Sequence, residues 1–199
     1  MKIDASFVKS AAGARDLPRD ALARIALVGR SNVGKSSLIN ALVRRRLART
    51  SAAPGLTRLA NWYRVSRERE KPFYLVDLPG YGYAKGGPSS SREFEKLTAS
   101  VFGEGQHRQT HRALSALLIV DARHPGLESD RAAWEWMQET VAASGIVATK
   151  IDKLARGRRI RAIEEIESVF RHPVAAVSAA TGEGLNELWK LIARLTKHE

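Results

Sequence analysis

The chain has 199 residues, of which 44% are hydrophobic and 27% are charged, and it contains no cysteine. This length and composition fit one α/β domain and exclude a disordered or collagen-like chain. The lack of cysteine excludes disulfide scaffolds, thiolate metal sites and cysteine nucleophiles. Lys and Arg outnumber Asp and Glu by 33 to 21, which gives a net charge of +12 and favours a polyanionic partner such as nucleic acid. The alternative is that many of these charges only solvate helix faces.

Short apolar runs recur along the chain, and each ends at a polar residue or at glycine. They cover residues 25–28, 73–76, 117–120, 146–148 and 174–177, and residues 61–65 predict a further strand. Continuous apolar runs are typical of strands that are buried on both faces, as in a parallel sheet covered by helices. We therefore expect a mostly parallel six-stranded sheet.

Helical patterns fill the intervals between these runs. They are predicted at residues 35–43, 92–102, 129–143, 159–170 and 185–195. Together the strands and helices predict an α/β fold of three layers, with helices on both faces of the sheet. Residues 47–60 and 78–91 are rich in Gly, Pro, Ser and Ala and predict long loops, which are often functional. We expect an N-terminal extension over residues 1–22, packed on a single domain over residues 23–199.

No segment has the pattern of a membrane anchor or a signal peptide. The longest apolar run, residues 113–120, is interrupted by Ser115 and is far shorter than the ~20 residues that cross a bilayer. The N-terminus has no apolar stretch of signal-peptide length. The sequence therefore predicts a cytoplasmic protein without stable membrane insertion.

The most specific motif directly follows the first apolar run. Gly29 to Ser36 reads GRSNVGKS, which is the G-x-x-x-x-G-K-[ST] pattern of a P-loop between a strand and a helix. Its glycines let the backbone wrap around phosphates, while N–H groups and the helix N-terminus point at the anion. Lys35 is expected to reach the β- and γ-phosphates, and the Ser36 hydroxyl to ligate Mg²⁺. The alternative, a chance glycine-rich turn, is disfavoured by the full motif in its strand–loop–helix context. The candidate phosphate-binding residues are Gly29, Arg30, Ser31, Asn32, Val33, Gly34, Lys35, Ser36 and Ser37.

Two further segments are candidates for sensing the γ-phosphate. Residues 77–80 read D-L-P-G, in which Asp77 can hold Mg²⁺ through water and the Gly80 amide can bond the γ-phosphate. Residues 54–58 read P-G-L-T-R and supply Gly55 and Thr57. A threonine in such a loop can complete the Mg²⁺ shell when the γ-phosphate is present and release it after hydrolysis.

A third motif indicates which base is bound. Residues 149–152 read T-K-I-D, a form of the guanine-recognition motif. The carboxylate of Asp152 can accept hydrogen bonds from guanine N1–H and N2–H₂, whereas adenine would leave it unpaired. The stem of Lys150 can lie over the purine ring, and Thr149 begins the motif. Ser178, Ala179 and Ala180 follow the last predicted strand and supply a further loop for the base edge.

The five motifs, in this order, resemble the translation-factor class of P-loop GTPases. GRSNVGKSSLINAL, PGLTR, DLPGYGYAK, TKIDKL and SAATGEGLNEL are similar to the EngB (YihA/YsxC) family of the TrmE–Era–EngA–septin group. The resemblance runs from about Phe7 to Leu195. It implies a single Ras-like G domain that binds GTP or GDP and Mg²⁺, and we expect this domain to be a monomer. It further implies a role in assembly of the large ribosomal subunit and in normal septation and cell division.

The catalytic candidates are Lys35, Thr57 and Asn32. The residue after D-x-x-G is Tyr81, where Ras-like GTPases place the Gln that orients water. Because a phenol cannot replace the paired donor and acceptor of an amide, we expect slow hydrolysis without a partner. In the resembling TrmE-type GTPases, an Asn at the position of Asn32 helps to hold K⁺. The alternative is that Asn32 only stabilises its own loop.

The basic residues occur in clusters beside the predicted switch and base motifs. Such clusters predict salt-sensitive binding to a precursor of the large ribosomal subunit, through rRNA, ribosomal protein or both. Residues 81–85, Y-G-Y-A-K, suit stacking on RNA or packing on a protein, or the tyrosines pack under their own loop. The two main clusters are Arg44, Arg45, Arg46 and Arg49, and Lys153, Arg156, Arg158, Arg159 and Arg161.

Two other functions stay open at the level of sequence. One is a P-loop small-molecule kinase, whose Arg-rich lid would explain some of the basic residues; the T-K-I-D motif argues against it. The other is a nucleotide-gated scaffold at the division site with negligible turnover. Pelleting against ribosomal subunits and against filament-forming partners, each with a GTP analogue and with GDP, separates this scaffold from a GTP-hydrolysing switch.

Overall fold

The apolar runs predicted as strands lie side by side in one sheet. The computed structural model describes residues 2–18, 20–50, 59–68, 70–81, 98–99, 101 and 114–197. Its strands are β1 (Ile3–Ala11), β2 (Arg24–Gly29), β3 (Ala60–Arg67), β4 (Phe73–Asp77), β5 (Leu114–Asp121), β6 (Ala143–Thr149) and β7 (Val174–Ala176). They form a single sheet in the order β1-β3-β4-β2-β5-β6-β7.

The parallel part of this sheet sets the position of the motifs. β2 pairs in parallel with β4 and β5, and β6 pairs in parallel with β5 and β7. Every residue of β4 and β5 is buried, which explains their continuous apolar sequences. Because the strands run in one direction, the motifs that follow them meet at one edge of the sheet.

Helices cover both faces of the sheet, as predicted. The helices are α1 (Lys35–Val43), α2 (Glu128–Thr140), α3 (Arg156–Phe170) and α4 (Leu185–Leu195). The core on one face includes side chains of α1 and α4, such as Leu38 and Trp189. The core on the other face includes Met137 of α2 and Ile166 of α3. Burying a large apolar side chain of this kind contributes ~1.5–3 kcal/mol, so both layers are anchored through their helices.

The sheet has seven strands, and the prediction of six was wrong. β1 pairs antiparallel with β3, from Ile3 opposite Arg67 to Ala11 opposite Ala60, with a bulge after Phe7. Only Ala5 and Ala11 of β1 are buried, so this strand lacks the apolar run that marks the others. It is an edge strand that joins the sheet through its backbone pairing with β3. The predicted extension over residues 1–22 thus supplies part of the sheet, and the domain boundary at residue 22 stays a prediction.

Most helix boundaries agree with the sequence. The predictions at 35–43 and 185–195 are confirmed, and α3 begins three residues before its predicted start. α2 ends at Thr140 because Ala143 already begins β6. The helix predicted at 92–102 lies largely outside the described residues, although Thr98, Ala99 and Val101 are helical. Within the described part of the chain, no helix is long and apolar enough to cross a membrane.

The end of α1 depends on one amide side chain. The Asn40 oxygen accepts hydrogen bonds from the N–H groups of Leu47 (2.8 Å) and Ala48 (2.7 Å), and its NH₂ donates to Ala48 O (2.8 Å). We predict that Asn40→Ala lowers the free energy of unfolding by ~2–3 kcal/mol, because backbone groups lose their partners. Urea denaturation measures this loss. Gln138→Ala, which removes an exposed amide with one hydrogen bond to Ser144, is the control, with an expected change below ~1 kcal/mol. Equal changes in the two variants contradict the prediction.

Candidate nucleotide-binding site

The P-loop has the tight backbone that its sequence predicts. Gly29 ends β2, and a Cβ added there would lie 2.6 Å from Ile119 O. Asn32 and Gly34 have positive φ angles of 60° and 109°, a region that Gly enters freely and Asn more easily than most residues. α1 then begins at Lys35 without a hydrogen-bonding side-chain cap among the described residues. Its first N–H groups thus lack a side-chain acceptor, which suits an anion.

Lys35 is a buried lysine held inside the P-loop. Its Nζ donates hydrogen bonds to Gly29 O (2.8 Å) and Arg30 O (3.1 Å). Burial lowers the pKa of Lys35 to about 8, although the nearby Asp77 carboxylate acts in the opposite direction. The ammonium is therefore fixed at the loop and loses its proton as the pH rises through about 8.

Ser36 and Asp77 come together as a pair of oxygen ligands. Ser36 Oγ donates a 2.6 Å hydrogen bond to Asp77 Oδ2, and Asp77 is 1% exposed. Burial raises the pKa of Asp77, while Lys35 and the Ser36 hydroxyl oppose this shift. Among the described residues, the buried Asp77 Oδ1 has no hydrogen-bond partner. A buried carboxylate oxygen beside a hydroxyl is a donor set that fits Mg²⁺.

The D-x-x-G segment crosses the rim of the P-loop. Gly80 lies so close that an added Cβ would be 2.4 Å from Ser31 N, so the position accepts only glycine without a shift of the backbone. The Ser31 N–H donates to Tyr81 O at 3.3 Å, and Arg30 and Tyr81 form a parallel bridge. The start of the predicted second switch is thus in backbone contact with the P-loop.

The Tyr81 side chain turns towards α2. Its hydroxyl donates a 2.8 Å hydrogen bond to Asp130 Oδ1, and its ring packs against the core. Burial, with Asp130 adding to it, raises the pKa of Tyr81 far above its usual range. The hydroxyl is therefore a permanent donor. Tyr81 is thus packed against the core; the loop that follows it, with Tyr83 and Lys85, lies outside the described residues, so the two predicted roles of the tyrosines stay predictions.

The T-K-I-D motif is joined directly to the P-loop. Thr149 Oγ1 lies 2.7 Å from Val33 O and 3.0 Å from Val120 O. Lys150 Nζ donates a 2.6 Å hydrogen bond to Asn32 O. The P-loop and the T-K-I-D motif therefore move as one body at this edge of the sheet.

Asp152 is oriented by the loop that follows β7. Ser178 Oγ donates to Asp152 Oδ1 at 2.7 Å and accepts from the N–H groups of Ala180 (3.2 Å) and Thr181 (3.1 Å). The hydrogen bond from Ser178 holds the pKa of Asp152 below its usual range. Asp152 is therefore a fixed, ionised acceptor, and Ser178–Ala180 position it from the next strand, with Ala179 inside that turn.

Sequence reasoning missed Asp121 as a site residue. Asp121 ends β5 and forms an ion pair with Lys150 Nζ at 3.0 Å and with Arg123 at 2.7 Å. Burial would raise the pKa of Asp121, but these hydrogen bonds outweigh it and hold the pKa below the usual range. Asp121 thus orients Lys150. Its place at the carboxyl end of an apolar run was the signal available in the sequence.

The remaining predicted site residues are either exposed or outside the described part of the chain. Gly55 and Thr57 lie outside the described residues. Ser37 is exposed on the first turn of α1, and Asn32 is exposed in the loop. The left-handed backbone of Asn32 is by itself a sufficient reason for an Asn at this position.

Comparison with known proteins identifies the family. The model of the 50S ribosome-binding GTPase family matches residues 24–170. A probable GTP-binding protein EngB of Pelotomaculum thermopropionicum is 40% identical over 200 residues, which cover 98% of this chain and 96% of that protein. The chain belongs to the EngB family. A second EngB protein, from Thermotoga maritima, is 39% identical over 198 residues, which cover 98% of this chain and 97% of that protein.

Solved structures agree on the fold of this EngB-family protein. Aquifex aeolicus Era Y63A bound to GDP.AlF4⁻ superposes with a TM-score of 0.74 at 23% identity, covering 88% of this chain and 57% of that one. A probable GTP-binding protein EngB gives a TM-score of 0.64 at 21% identity, covering 89% and 100%. The α/β P-loop fold predicted from the sequence is confirmed. As a member of its family, the protein is a GTP-binding switch and a P-loop GTPase.

The pKa of Lys35 predicts how nucleotide affinity depends on pH. Phosphates favour the charged form of Lys35, so its pKa is higher with nucleotide than the value of about 8 without it. Binding then takes up a proton, and the affinity falls as the pH rises through about 8. We expect GDP affinity to drop about fourfold between about pH 7 and 8.5, where about a quarter of free Lys35 stays protonated.

Fluorescence titration with labelled GDP across this range measures the effect. Lys35→Arg, whose guanidinium stays charged, should bind more weakly but with a flat profile. A flat profile for the unmodified protein contradicts the shifted pKa of Lys35.

Proposed function

We propose that this EngB-family protein binds GTP and Mg²⁺ at the edge of the sheet where the motifs meet, and acts as a slow switch on a precursor of the large ribosomal subunit. The observation that carries the proposal is the joining of the T-K-I-D motif to the P-loop through Thr149 and Lys150. It links a phosphate-binding loop to a guanine-specific carboxylate in one rigid site. Such a site is typical of a guanine-nucleotide switch rather than of a kinase that phosphorylates a small acceptor molecule.

The phosphates are proposed to bind along residues 29–37, where Lys35 would reach the β- and γ-phosphates. Ser36 and Thr57 would ligate Mg²⁺ directly, and Asp77 through water. Bound Mg²⁺ supplies positive charge that neutralises the phosphate oxygens. Gly55 joins Thr57 in the first switch, and the Gly80 amide would bond the γ-phosphate.

The base is proposed to be selected by Asp152. Its carboxylate is ionised and held by Ser178 at 2.7 Å, so two acceptor oxygens have a fixed direction. Guanine offers two adjacent donors, N1–H and N2–H₂, whereas adenine offers an acceptor at N1. Bound adenine would leave the Asp152 carboxylate without hydrogen-bond donors, and this unpaired charge would disfavour adenine strongly. Ala179 and Ala180 line the same edge.

Slow hydrolysis follows from the direction of Tyr81. The position that in Ras-like enzymes orients the attacking water here carries a hydroxyl that donates to Asp130. It is thus engaged on the α2 side of the loop. We propose that an additional cation or a partner supplies the missing stabilisation, with Asn32 as a candidate K⁺ ligand.

Comparison of K⁺ with Na⁺ tests the role of Asn32. We predict that single-turnover hydrolysis of GTP is slow in NaCl and about tenfold or more faster in KCl at equal ionic strength, because a fixed cation stabilises charge in the transition state. Asn32→Asp keeps the shape of the side chain, and Asn32→Gly keeps the left-handed backbone but removes the ligand. If Asn32→Gly retains the stimulation, or if both salts give one rate, Asn32 serves only the loop.

The ribosomal partner is proposed from charge. The first two turns of α3 expose Arg156, Arg158 and Arg161, and Lys153 lies just before them. The first turn of α3 contains no acidic residue, although Arg159 pairs with Glu183, so the exposed cations add to the positive end of the helix dipole. Such a surface attracts the phosphates of RNA. The second cluster, at residues 44–49, is also exposed, although Arg45 is hydrogen-bonded to Ala5 O.

The comparisons support the same partner. The matched family is described as 50S ribosome-binding GTPases. We propose that the protein works as a monomer in the cytoplasm, and that normal septation depends on ribosome assembly.

Cosedimentation with large-subunit precursors tests this partner. We predict binding with a non-hydrolysable GTP analogue, weaker binding with GDP, and a loss of affinity of at least tenfold between about 50 and 200 mM salt. Changing Arg156, Arg158 and Arg161 together to Gln should lower the slope of log K against log salt by ~2.

The matched control changes three exposed cations of α4 and its end. Replacement of Lys190, Arg194 and Lys197 by Gln removes the same charge from the opposite face and should leave the slope nearly unchanged. Salt-independent binding, or equal effects of the two triple variants, contradicts RNA docking on α3. Binding that ignores the nucleotide contradicts both the switch and the nucleotide-gated scaffold.

A further inference from the structure

One buried carboxylate joins three segments around the P-loop. Asp130 lies in the first turn of α2 and is 1% exposed. Its Oδ1 accepts hydrogen bonds from the Tyr81 hydroxyl at 2.8 Å and from Arg30 Nε at 3.1 Å. Arg30 belongs to the P-loop and Tyr81 to the segment after D-x-x-G. The proposed function uses the hydrogen bond from Tyr81 only to explain slow hydrolysis, and it assigns no role to Asp130 itself.

The two segments that Asp130 joins already touch through their backbones. Arg30 and Tyr81 are bridge partners, and the Ser31 N–H donates to Tyr81 O. Gly80 lies against Ser31, with no room for a methyl group. Asp130 therefore adds a side-chain anchor to a weak backbone contact of 3.3 Å.

The surroundings of Asp130 make this anchor stiff. A buried carboxylate is held in place by its hydrogen-bond partners, because losing them would leave its charge unpaired in the interior, which is costly. The carboxylate also lies at the N-terminal end of α2, where the helix dipole favours negative charge. The anchor thus has the rigidity of α2, which itself packs on the sheet through Trp134 and Met137.

We propose that Asp130 is a positioning residue for GTP. By holding Arg30 and Tyr81, Asp130 keeps Gly80 at the rim of the P-loop, where the γ-phosphate would meet the Gly80 amide. GDP has no phosphate at this place, so Asp130 raises the affinity for GTP over that for GDP. This inference rests on the proposed function, because it requires that the P-loop and Gly80 bind the nucleotide.

A purely structural role of Asp130 makes a different prediction. If Asp130 only fixed α2 to the sheet, its loss would lower the stability and weaken both nucleotides alike. A positioning role changes the ratio of the two affinities. The ratio is therefore the decisive measurement.

The experiment uses the full chain with Asp130→Ala and measures binding of fluorescent GDP and of a fluorescent non-hydrolysable GTP analogue, both with Mg²⁺. We expect affinity for the GTP analogue to fall about tenfold, the effect of losing ~1.4 kcal/mol, while GDP affinity stays within about twofold. Glu128→Ala removes an exposed carboxylate from the same helical turn and should leave the ratio unchanged.

Tyr81→Phe keeps the test valid if Asp130→Ala does not fold. It removes only the hydroxyl that donates to Asp130 and should weaken the GTP analogue at least threefold without affecting GDP. An unchanged ratio in the folded variants, an equal loss for both nucleotides or tighter binding of the GTP analogue overturns the positioning role. If the unmodified protein binds neither guanine nucleotide, the proposed function itself fails, and the two failures are thereby distinguished.

Discussion

The contact of Thr149 and Lys150 with the carbonyl groups of the P-loop is the constraint on which the site depends. A loop without regular structure has backbone groups that need partners. Here Val33 O and Asn32 O find them in the side chains at the end of β6, at 2.7 and 2.6 Å. The distance between the phosphate end and the base end of the site is therefore set by the spacing of strands in the sheet. A ligand finds both ends already in place, so little ordering is required on binding.

The same edge of the sheet concentrates buried charge. Lys35, Asp77, Asp121 and Asp130 are all less than 10% exposed, and burial of charge disfavours folding unless partners compensate. Each of the four has at least one polar partner within 3.1 Å. The core on both faces of the sheet supplies the stability that this arrangement requires. The site thus combines a stiff frame with charges that a ligand can use.

Local signals in the sequence were sufficient for the elements that position the phosphates. α1 and the strand–loop–helix context of Gly29–Ser36 were predicted because their determinants are neighbours in the chain. β1 could not be predicted from an apolar run, since only two of its residues are buried. Its paired residues in β3 lie 49 positions (Ala11 and Ala60) to 64 positions (Ile3 and Arg67) away in the chain. The contacts of Asp130 could not be predicted from the sequence either. Its role depends on Arg30, one hundred positions earlier, and nothing in residues 127–131 alone indicates a contact with the P-loop.

The late pairing of β1 has a consequence for synthesis of the chain. β1 is translated before the other strands of this sheet, yet its antiparallel partner includes Arg67, so it has no sheet to join until the P-loop and α1 have been made. Contacts between such distant segments carry a large entropic cost and form slowly. This early strand thus becomes an edge strand of the finished sheet, where it covers the edge of β3. While nascent, it is an unpaired template that another chain could capture, and its bulge reduces that hazard.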